Sequence, residues 1–386
     1  MDERTGLPVV GMVGAGQLAR MTHQAAIALG QSLRILADSR DDGAALVAAD
    51  VRVGDAGSLE DLRAFARGCD AVTFDHEQAP NAHVAALAAD GVAVHPGAEA
   101  LRYAQDKQAM RERLSAMGIP CPRWAPIASV ADLQAFGDEV GWPVVIKAVS
   151  GGYDGKGVWV LEHAAAAAEV LGAGTRLIAE ERVAIVRELS AVVARSPFGQ
   201  GAAWPVVETV QRDGVCVEVL APAPDLDEEL AEHAQALALR IASELGVTGV
   251  LAVELFQTAH GVLVNELAMR PHNSAHWTIE GARTSQFEQH LRAVLDYPLG
   301  STALTASVVV MVNLLGGADD VEPKAIDERV HHCMAHWPDV KIHLYGKQFR
   351  PGRKVGHVTT LGADLATVGQ RAREAADYLM NGDARR

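Results

Sequence analysis

A glycine-rich segment in the middle of the chain carries residue types that bind phosphate. Residues 150–158 read Ser-Gly-Gly-Tyr-Asp-Gly-Lys-Gly-Val, and the apolar strand predicted at 143–146 delivers Lys147 just before them. Glycine lets backbone N–H groups approach an anion closely, and lysine adds positive charge. The segment does not match the P-loop pattern Gly-x-x-x-x-Gly-Lys-Ser/Thr. We interpret it as a phosphate-binding loop; a hairpin tip without a ligand is the alternative.

Two glutamates interrupt consecutive apolar strands in the second half of the chain. Glu254 lies within 250–256, Val-Leu-Ala-Val-Glu-Leu-Phe, and Glu266 lies within 262–267, Val-Leu-Val-Asn-Glu-Leu. Two buried carboxylates on adjacent strands repel each other unless a cation lies between them. Mg²⁺ prefers carboxylate and phosphate oxygens. The spacing therefore predicts a Mg²⁺ site, with Asn265 as a further oxygen donor or a phosphate contact. In the alternative, one acid forms a salt bridge and the other faces solvent.

Two further segments have the chemistry to bind a small anionic substrate. Arg270 can bind an oxyanion through paired hydrogen bonds, and His272 and Asn273 can orient a small molecule. His276, in the same segment, is more simply interpreted as a structural histidine. Residues 350–357, Arg-Pro-Gly-Arg-Lys-Val-Gly-His, concentrate positive charge in an acidic chain. They predict a phosphate pocket, with a solvated turn as the alternative.

Alternating strands and helices must position these residues. Segment 7–13 predicts a buried strand, 14–19 (Gly-x-Gly-x-x-Ala) opens a helix, and 33–37 predicts a second strand ending at Asp38. This alternation predicts a parallel sheet with helices on both faces. The turn resembles a dinucleotide fingerprint, which holds a phosphate over a helix N-terminus. It also fits a tight turn that needs small residues, and Gln17 is placed to contact the phosphate of a mononucleotide-like substrate.

Segments rich in proline and glycine predict two domain boundaries, near residues 97 and 300. The predicted domains are residues 1–97, 98–299 and 300–386. The second begins with a helix predicted from about 98 to 117. The third is predicted to be a small β-rich unit with a terminal helix.

The composition limits the class of protein. The chain has 386 residues, 49% of them hydrophobic, and a net charge of −15, which argues against nonspecific binding to nucleic acid or membranes. The four cysteines form no Cys-x-x-Cys pair, as is typical of a reducing compartment. The N-terminal residues do not resemble a signal peptide, and no apolar run reaches the roughly 18–20 residues of a membrane helix. We expect a cytoplasmic protein without nucleic-acid or membrane partners.

These motifs together resemble the ATP-grasp enzymes, which combine a strand lysine, a glycine-rich loop, an acidic hinge strand and a late Glu plus Asn-Glu set. Residues 14–18, 151–157, 265–274 and 351–357 are similar to motifs of the 5-(carboxyamino)imidazole ribonucleotide synthetase family, and the resemblance runs over nearly the whole chain. It implies an α/β (α+β) ATP-grasp fold. An N-terminal Rossmann-like (pre-ATP-grasp) parallel sheet domain would precede it, a lid subdomain would span about 121–190, and a small C-terminal β-rich domain would complete the active site.

The resemblance implies a role for each matching residue. The residues implied to bind ATP are Lys107, Lys147, Gly152, Tyr153, Asp154, Gly155, Lys156, Gly157, Glu180, Glu181, Val183, Glu188, Gln211, Asn265 and Glu266. Those implied to bind the ribonucleotide substrate are Gln17, Tyr153, Asn273, Ser274, Arg353 and Lys354. Those implied to act in catalysis are Asp154, Lys156, Arg270 and His272. Glu254 and Glu266 would hold Mg²⁺, with Mn²⁺ as an alternative metal.

The implied reaction joins bicarbonate to 5-aminoimidazole ribonucleotide. ATP would phosphorylate bicarbonate to carboxyphosphate, the amine would be carboxylated directly or through released CO₂, and ADP and phosphate would leave. The product, N5-carboxyaminoimidazole ribonucleotide, belongs to de novo purine biosynthesis. Arg270 would hold bicarbonate or carboxyphosphate, and either His272 or Asp154 would take the amine proton. The family also implies a homodimer.

Three other functions compete with this interpretation. They are a different ATP-grasp ribonucleotide ligase or transformylase, a Rossmann-type oxidoreductase, and a non-catalytic nucleotide sensor. Two departures from the family pattern also stand out. Asp75 and His76 replace a less polar pair before Glu77, and Gln211 stands where some relatives carry histidine.

Overall fold

The computed structural model describes residues 1–152, 155–167, 170–171, 174–316 and 323–382. Within these ranges the chain forms three β-sheets with helices packed against them. None of the described helices is long and apolar enough to cross a lipid bilayer.

The strands and helices follow one another in a mixed order. The strands are β1 (Val9–Val13), β2 (Ser32–Ala37), β3 (Asp50–Val53), β4 (Ala71–Phe74), β5 (Trp124–Ile127), β6 (Val144–Ala148), β7 (Val158–Leu161), β8 (Leu177–Glu181), β9 (Arg187–Arg195), β10 (Gly201–Ala203), β11 (Val207–Arg212), β12 (Val215–Ala221), β13 (Gly249–Thr258), β14 (Gly261–Ala268), β15 (Val308–Leu315), β16 (Lys341–Leu344) and β17 (Lys354–Gly362). The helices are α1 (Gln17–Ala28), α2 (Leu59–Ala66), α3 (Asn81–Ala89), α4 (Ala98–Gln105), α5 (Lys107–Ala116), α6 (Val130–Val140), α7 (Glu228–Glu244), α8 (Thr278–Gly281), α9 (Gln286–Val294), α10 (Pro323–His336) and α11 (Leu365–Asn381).

The N-terminal sheet is parallel, in the order β3-β2-β1-β4. All five residues of β1 are buried, because helices cover both faces of the sheet. The parallel sheet predicted from the alternation of strands and helices is therefore confirmed.

A nine-stranded sheet forms the centre of the molecule, in the order β14-β13-β9-β11-β12-β15-β17-β16, with β10 paired to β9. Its strand β13 contributes to two cores. Leu251 and Val253 pack in the cluster that contains Ile241 of α7, whereas Val250 and Ala252 pack in the cluster on the opposite face. Strands β15–β17 come from the segment predicted as a C-terminal β-rich unit, and they extend this central sheet through the antiparallel β12–β15 pair.

A smaller antiparallel sheet, in the order β5-β8-β6-β7, carries Lys147 and the glycine-rich loop. Helix α6 packs Leu133 and Phe136 against Ile146 of this sheet. The loop leaves the sheet at the end of β6, so the sheet fixes where both its lysine and its loop begin.

The single helix predicted from 98 to 117 is wrong, because the helix breaks at Asp106. This residue has extended backbone (φ −129°, ψ 104°), and its side chain accepts a hydrogen bond from the Ala109 N–H at 2.8 Å. Aspartate caps helix N-termini well, so α5 begins anew at Lys107. The Lys107 N–H donates to the Val149 carbonyl at 2.8 Å, which places this lysine beside the end of β6.

Candidate active site

Lys147 lies between the small sheet and the central sheet. Its Nζ donates to Asn265 Oδ1 at 2.8 Å and pairs with Glu180 Oε2 at 2.7 Å. The lysine side chain is only 11% exposed. Burial lowers the pKa of Lys147, and the charge of Glu180 opposes that shift. The ammonium is therefore held at a fixed point at the junction of the two sheets.

Arg111 on α5 completes this buried ion group. Its guanidinium is fully buried and lies 2.7 Å from Glu180 Oε1. It also donates to the carbonyls of Val264 at 3.0 Å and Asn265 at 2.7 Å. The sequence does not single out Arg111, because an arginine four residues after Lys107 on a helix has the pattern of an ordinary surface residue.

Glu254 and Glu266 face each other across the β13–β14 pair, as the sequence predicted. The register shifts immediately after them: Glu254 pairs with Glu266, but Leu255 pairs with Val264. Asn265 is therefore the extra residue of a β-bulge, which can turn adjacent side chains toward one face of a strand. The bulge explains how Asn265 reaches Lys147 while its neighbour Glu266 accepts a hydrogen bond from Lys107 Nζ at 2.6 Å.

Two neighbouring carboxylates, Glu266 and Glu188, disfavour the charged form of Glu254. Burial, together with the charges of Glu266 and Glu188, raises the pKa of Glu254 to about 7. Burial also raises the pKa of Glu188. Such a cluster is stabilised by a cation, so the Glu254–Glu266 pair fits Mg²⁺. No group of three or more His, Cys, Asp or Glu in the described ranges could hold a metal ion, so phosphate or water oxygens would have to supply the remaining ligands.

The segment after β8 was predicted to line an adenine site through Glu180, Glu181 and Val183. The side chains of both glutamates are already engaged, Glu180 as described above and Glu181 with Arg123. Glu181 accepts hydrogen bonds from the Arg123 N–H and from Nε, both at 2.8 Å. Val183 is partly buried in the connection from β8 to β9. The backbone N–H and C=O groups of this segment are therefore the groups that remain to bind an adenine base.

The glycine-rich loop needs its glycines. Gly155 and Gly157 both have φ of +75°, and a Cβ added to Gly152 would lie 2.7 Å from the Lys156 carbonyl oxygen. The Ala148 N–H donates to the Gly157 carbonyl at 2.8 Å, which closes the loop at the end of β6. The predicted site residues Tyr153 and Asp154 lie outside the described residues.

Gln211, the predicted nucleotide contact, lies on β11 opposite Cys216 of β12, where the register of this strand pair shifts. The tip of the same hairpin approaches the glycine-rich loop. A Cβ added to Gly155 would lie 3.3 Å from Gly214 Cα. The hairpin and the loop therefore lie on the same side of the molecule.

His272 connects the acidic face to the polar loop after β14. Its Nε2 lies 3.4 Å from Glu254 Oε1, and its Nδ1 is hydrogen-bonded to Ser274 Oγ at 2.8 Å. Ser274 Oγ in turn lies 2.7 Å from Ser190 Oγ. Burial lowers the pKa of His272 to about 3, with a smaller contribution from the charges of Arg270 and Lys354. The imidazole is therefore neutral near pH 7.

Glu77 holds the start of the same loop. Its carboxylate accepts the Met269 N–H at 2.7 Å and Arg270 Nε at 3.2 Å. The N-terminal sheet domain thereby orients a guanidinium of the central domain. Glu77 belongs to the segment that departs from the family pattern, and the departure does not prevent this contact.

The turn that resembles a dinucleotide fingerprint is filled by the protein's own carboxylate. Asp75 accepts the N–H groups of Gly16 at 2.6 Å and Ala19 at 2.8 Å, at the start of α1. Asp75 thus engages two of the N–H groups at this helix N-terminus that a dinucleotide phosphate would use, which favours the tight-turn interpretation over dinucleotide binding. Gln17 lies beside this turn and accepts a hydrogen bond from Lys347, a residue that our reading of the sequence did not single out.

Asn273 and the basic C-terminal segment complete the second half of the site. Asn273 is 9% exposed, and neither polar atom of its amide has a hydrogen-bond partner among the described residues. Lys354 begins β17 and lies close enough to affect the pKa of His272. Arg353 is exposed and donates to the Gln348 carbonyl at 3.5 Å. His276 is fully buried, as expected for a structural histidine.

Three families of domains match successive parts of the chain. Residues 7–105 match the ribonucleotide synthetase preATP-grasp domain, residues 112–287 match the ATP-grasp domain, and residues 309–371 match the phosphoribosylaminoimidazole carboxylase C-terminal domain. The implied fold, an ATP-grasp fold preceded by a parallel sheet domain, is confirmed.

Whole proteins are also similar along almost the full chain. The N5-carboxyaminoimidazole ribonucleotide synthase of Mycobacterium tuberculosis (strain ATCC 25618 / H37Rv) is 58% identical over 382 residues, which cover 97% of this chain and 88% of that protein. The same enzyme from Corynebacterium ammoniagenes is 51% identical, with 97% and 93% covered. The crystal structure of N5-carboxyaminoimidazole synthase from Aspergillus clavatus in complex with ADP and 5-aminoimidazole ribonucleotide is 30% identical, with a TM-score of 0.88 and 97% and 98% covered.

Proposed function

The chain belongs to the N5-carboxyaminoimidazole ribonucleotide synthase family, and we propose that it carboxylates 5-aminoimidazole ribonucleotide in an ATP-dependent reaction of purine biosynthesis. The substrates are ATP, bicarbonate and the ribonucleotide, and the other products are ADP and phosphate. One observation of the site carries this proposal. His272, in the loop predicted to bind the ribonucleotide, lies 3.4 Å from Glu254, in the acidic pair predicted to serve ATP. The proposed phosphoryl-transfer and carboxyl-transfer halves of the site would therefore share one face of the central sheet.

The ATP half would work mainly by fixed positive charge. Lys107 and Lys147 already point their ammonium groups at Glu266 and Asn265, at 2.6 Å and 2.8 Å. Such preorganised cations stabilise the charge of a transferring phosphoryl group. Glu254 and Glu266 would hold Mg²⁺ or Mn²⁺, which supplies further charge neutralisation when bound.

The nucleoside would lie where β8 runs into β9. Because Glu180 and Glu181 are engaged in ion pairs, we assign the adenine contact to the backbone of residues 181–183. Glu188 would bind the ribose hydroxyls. Its partly buried carboxyl lies on the same face as Glu254, whose pKa it affects.

The ribonucleotide half would use the loop after β14 and the start of β17. Asn273 has two buried amide atoms without a partner in the described chain, so a substrate that bonded both would remove an energetic penalty. The substrate phosphate would meet Gln17, Arg353 and Lys354. Arg270, oriented by Glu77, would hold bicarbonate or carboxyphosphate.

The glycine-rich loop, with Lys156, would cover the phosphates and exclude water. Water would hydrolyse carboxyphosphate, so the loop has to close before the intermediate forms. Asp154 and Tyr153, next to the ring in the family pattern, would complete this cover. His272 is neutral near pH 7 because burial lowers its pKa to about 3, so it would act there as a hydrogen-bonding group.

ADP release tests the proposal directly. With Mg·ATP, ADP should form only when both 5-aminoimidazole ribonucleotide and bicarbonate are present, together with the carboxylated product. Dependence on formate instead of bicarbonate would identify a transformylase. Release without the ribonucleotide would identify an ATP-grasp enzyme with another substrate. No release, despite nucleotide binding, would favour a sensor.

The remaining expectations are proposals as well. We propose three domains (1–97, 98–299 and 300–386), a homodimer and a cytoplasmic location. The dimer rests only on what the family resemblance implies, and the four free cysteines suit a reducing compartment. Sedimentation equilibrium of the full chain tests the dimer, because a concentration-independent monomer mass would contradict it.

A further inference from the structure

A single buried glutamine holds the loop that carries His272. Gln286 is the first residue of α9 and is 0% exposed. Its Oε1 accepts the His272 N–H at 2.7 Å, and its Nε2 donates to the His272 carbonyl at 2.8 Å. The same Nε2 donates to His276 Nδ1 at 2.9 Å. One side chain thus fixes both backbone groups of His272 and the ring of His276.

Both donors and the acceptor oxygen of the amide group are engaged in this arrangement. A glutamine side chain offers two N–H donors and an oxygen acceptor, and all of them have a partner here. Because Nε2 can only donate, His276 Nδ1 must be an acceptor, which agrees with the strongly lowered pKa of this buried histidine. A side chain of another shape or charge cannot make the same set of contacts.

Gln286 is itself held rigidly. Its backbone N–H donates to Thr278 Oγ1 at 2.9 Å, and Ser285 caps the helix by accepting the Glu288 N–H. Further along α9, His290 bridges two domains: its Nε2 lies 2.8 Å from Thr73 Oγ1, and its Nδ1 accepts the Val250 N–H. The glutamine is therefore a fixed point against which the loop is placed.

We propose that Gln286 is a positioning residue for the ribonucleotide half of the site. It touches none of the groups that we assign to substrate binding except through the backbone of His272, and it sets where that imidazole lies relative to Glu254 and Ser274. This inference rests on the proposed function for the identity of the substrate. It does not depend on that function for the geometry of the loop.

Gln289, three residues along the same helix, is a matched control. It is also 0% exposed, and its amide makes the same reciprocal pair with a backbone. Its Nε2 donates to the Gly300 carbonyl at 2.8 Å, and its Oε1 accepts the Gly300 N–H at 2.7 Å. Gly300 lies in the segment after α9, and the hydrogen bonds of the Gln289 side chain go to Gly300 and not to the loop that carries His272. Replacing Gln289 removes an equivalent structural contact and leaves that loop alone.

The test compares Gln286→Leu, Gln286→Glu and Gln289→Leu in the full chain. Steady-state ADP release with bicarbonate present gives kcat and the KM values for ATP and for 5-aminoimidazole ribonucleotide, and thermal denaturation gives stability. Displacement of a catalytic group by about 1 Å reduces rates on the order of 100-fold. We expect a loss of that size in kcat/KM for the ribonucleotide in Gln286→Leu, a smaller loss in Gln286→Glu, and a KM for ATP within about 2-fold of wild type.

The control decides between positioning and general stability. Gln289→Leu should lose thermal stability comparably but keep kcat/KM for the ribonucleotide at a temperature where all variants are folded. Equal kinetic losses in the two leucine variants, or wild-type kinetics in Gln286→Leu, would overturn the inference. If Gln286→Leu does not fold, Gln286→Glu decides by the same kinetic criterion. A wild-type enzyme whose ADP release ignores the ribonucleotide would refute the proposed function instead. Amide hydrogen exchange at His272 would then test the inference by itself: faster exchange in Gln286→Leu than in Gln289→Leu would support it, and equal exchange would overturn it.

Discussion

Removing Arg111 should destabilise the chain and weaken ATP binding together. The guanidinium is fully buried, pairs with Glu180 at 2.7 Å, and donates to two carbonyls of β14. Arg111→Met keeps much of the apolar stem but leaves these three acceptors without their donor. The substitution therefore affects the small sheet and the central sheet at the same time.

The expected loss of stability in Arg111→Met depends on the ion pairs that Glu180 keeps. Breaking a buried ion pair by removing one partner destabilises a protein by about 3–5 kcal/mol. Glu180 keeps Lys147 at 2.7 Å, so its carboxylate is not left without a counter-ion. We therefore expect the low end of that range, about 3 kcal/mol in the free energy of unfolding. For a chain of this size that is a fall in Tm of about 4 °C.

The assay is thermal denaturation combined with the KM for ATP. Because Arg111 holds the carbonyl of Asn265, we expect a rise in KM for ATP of about 10-fold, which corresponds to about 1.4 kcal/mol of binding free energy. Arg123→Met is the matched control. This substitution breaks the neighbouring ion pair between Arg123 and Glu181, in which the Arg123 side chain is 53% exposed. Exposed pairs contribute about 0–1 kcal/mol, so the control should lose little stability. Equal losses in both variants, or an unchanged Tm in Arg111→Met, would refute the reasoning.

Three other perturbations test the rest of the site. Glu266→Gln should reduce ADP formation by about 100-fold or more without changing the far-ultraviolet circular dichroism, because the acidic pair loses a metal ligand. Arg353→Ala combined with Lys354→Ala should raise KM for the ribonucleotide about 10-fold or more and leave KM for ATP unchanged, because phosphate contacts are lost. Burial lowers the pKa of His290 to about 3 from an ordinary 6.5, so only the unfolded chain binds this proton between those values and stability falls with acidity. The free energy of unfolding, from urea titrations, should fall by about 1.6 kcal/mol from pH 6.5 to pH 5 through this residue, and His290→Asn should remove that part of the slope.

Each of these has a clear contrary result. Normal turnover in Glu266→Gln would remove the metal assignment. An unchanged KM for the ribonucleotide in the double variant would remove the phosphate role of the basic segment. A pH slope in His290→Asn identical to that of wild type would show that the neutral imidazole is not required for folding.

Much of the site was visible in the sequence because its residues contradict their surroundings. Glu254 and Glu266 stand out as acids within apolar strands, and the glycines of 151–157 stand out because they suit neither a helix nor a strand. Residue types that do not suit the local secondary structure have few explanations. They therefore indicate both where a site lies and what kind of ligand it could bind. The pairing of the two glutamates across one hairpin followed from the short turn between their strands.

The remaining features depend on tertiary contacts that leave no local signal. Arg111 looks like any helical arginine until α5 is packed between two sheets. Asp75 is a departure from the family pattern in the sequence, and only the structure shows that it binds the N-terminus of α1 from the residue after β4. The bulge at Asn265 changes no residue type, yet it decides which way the amide faces. Asp106 is a residue type that commonly caps helices, but the helical pattern on both sides of it predicts one continuous helix.

The continuity of the central sheet bears on how such a protein can be rebuilt by recombination. The C-terminal domain family begins at residue 309, but β15 is hydrogen-bonded to β12, four pairs deep from Glu218↔Val312 to Ala221↔Val309. A chimera joined at that point would follow the boundary between two domain families. Its β15 would still have to pair with β12 of the other parent in the correct register. A chain truncated there would expose the edge of β12, a row of unpaired N–H and C=O groups that templates aggregation. The boundary of the matched C-terminal domain therefore lies within a β-sheet, and it is not a boundary between separately folding parts of the chain.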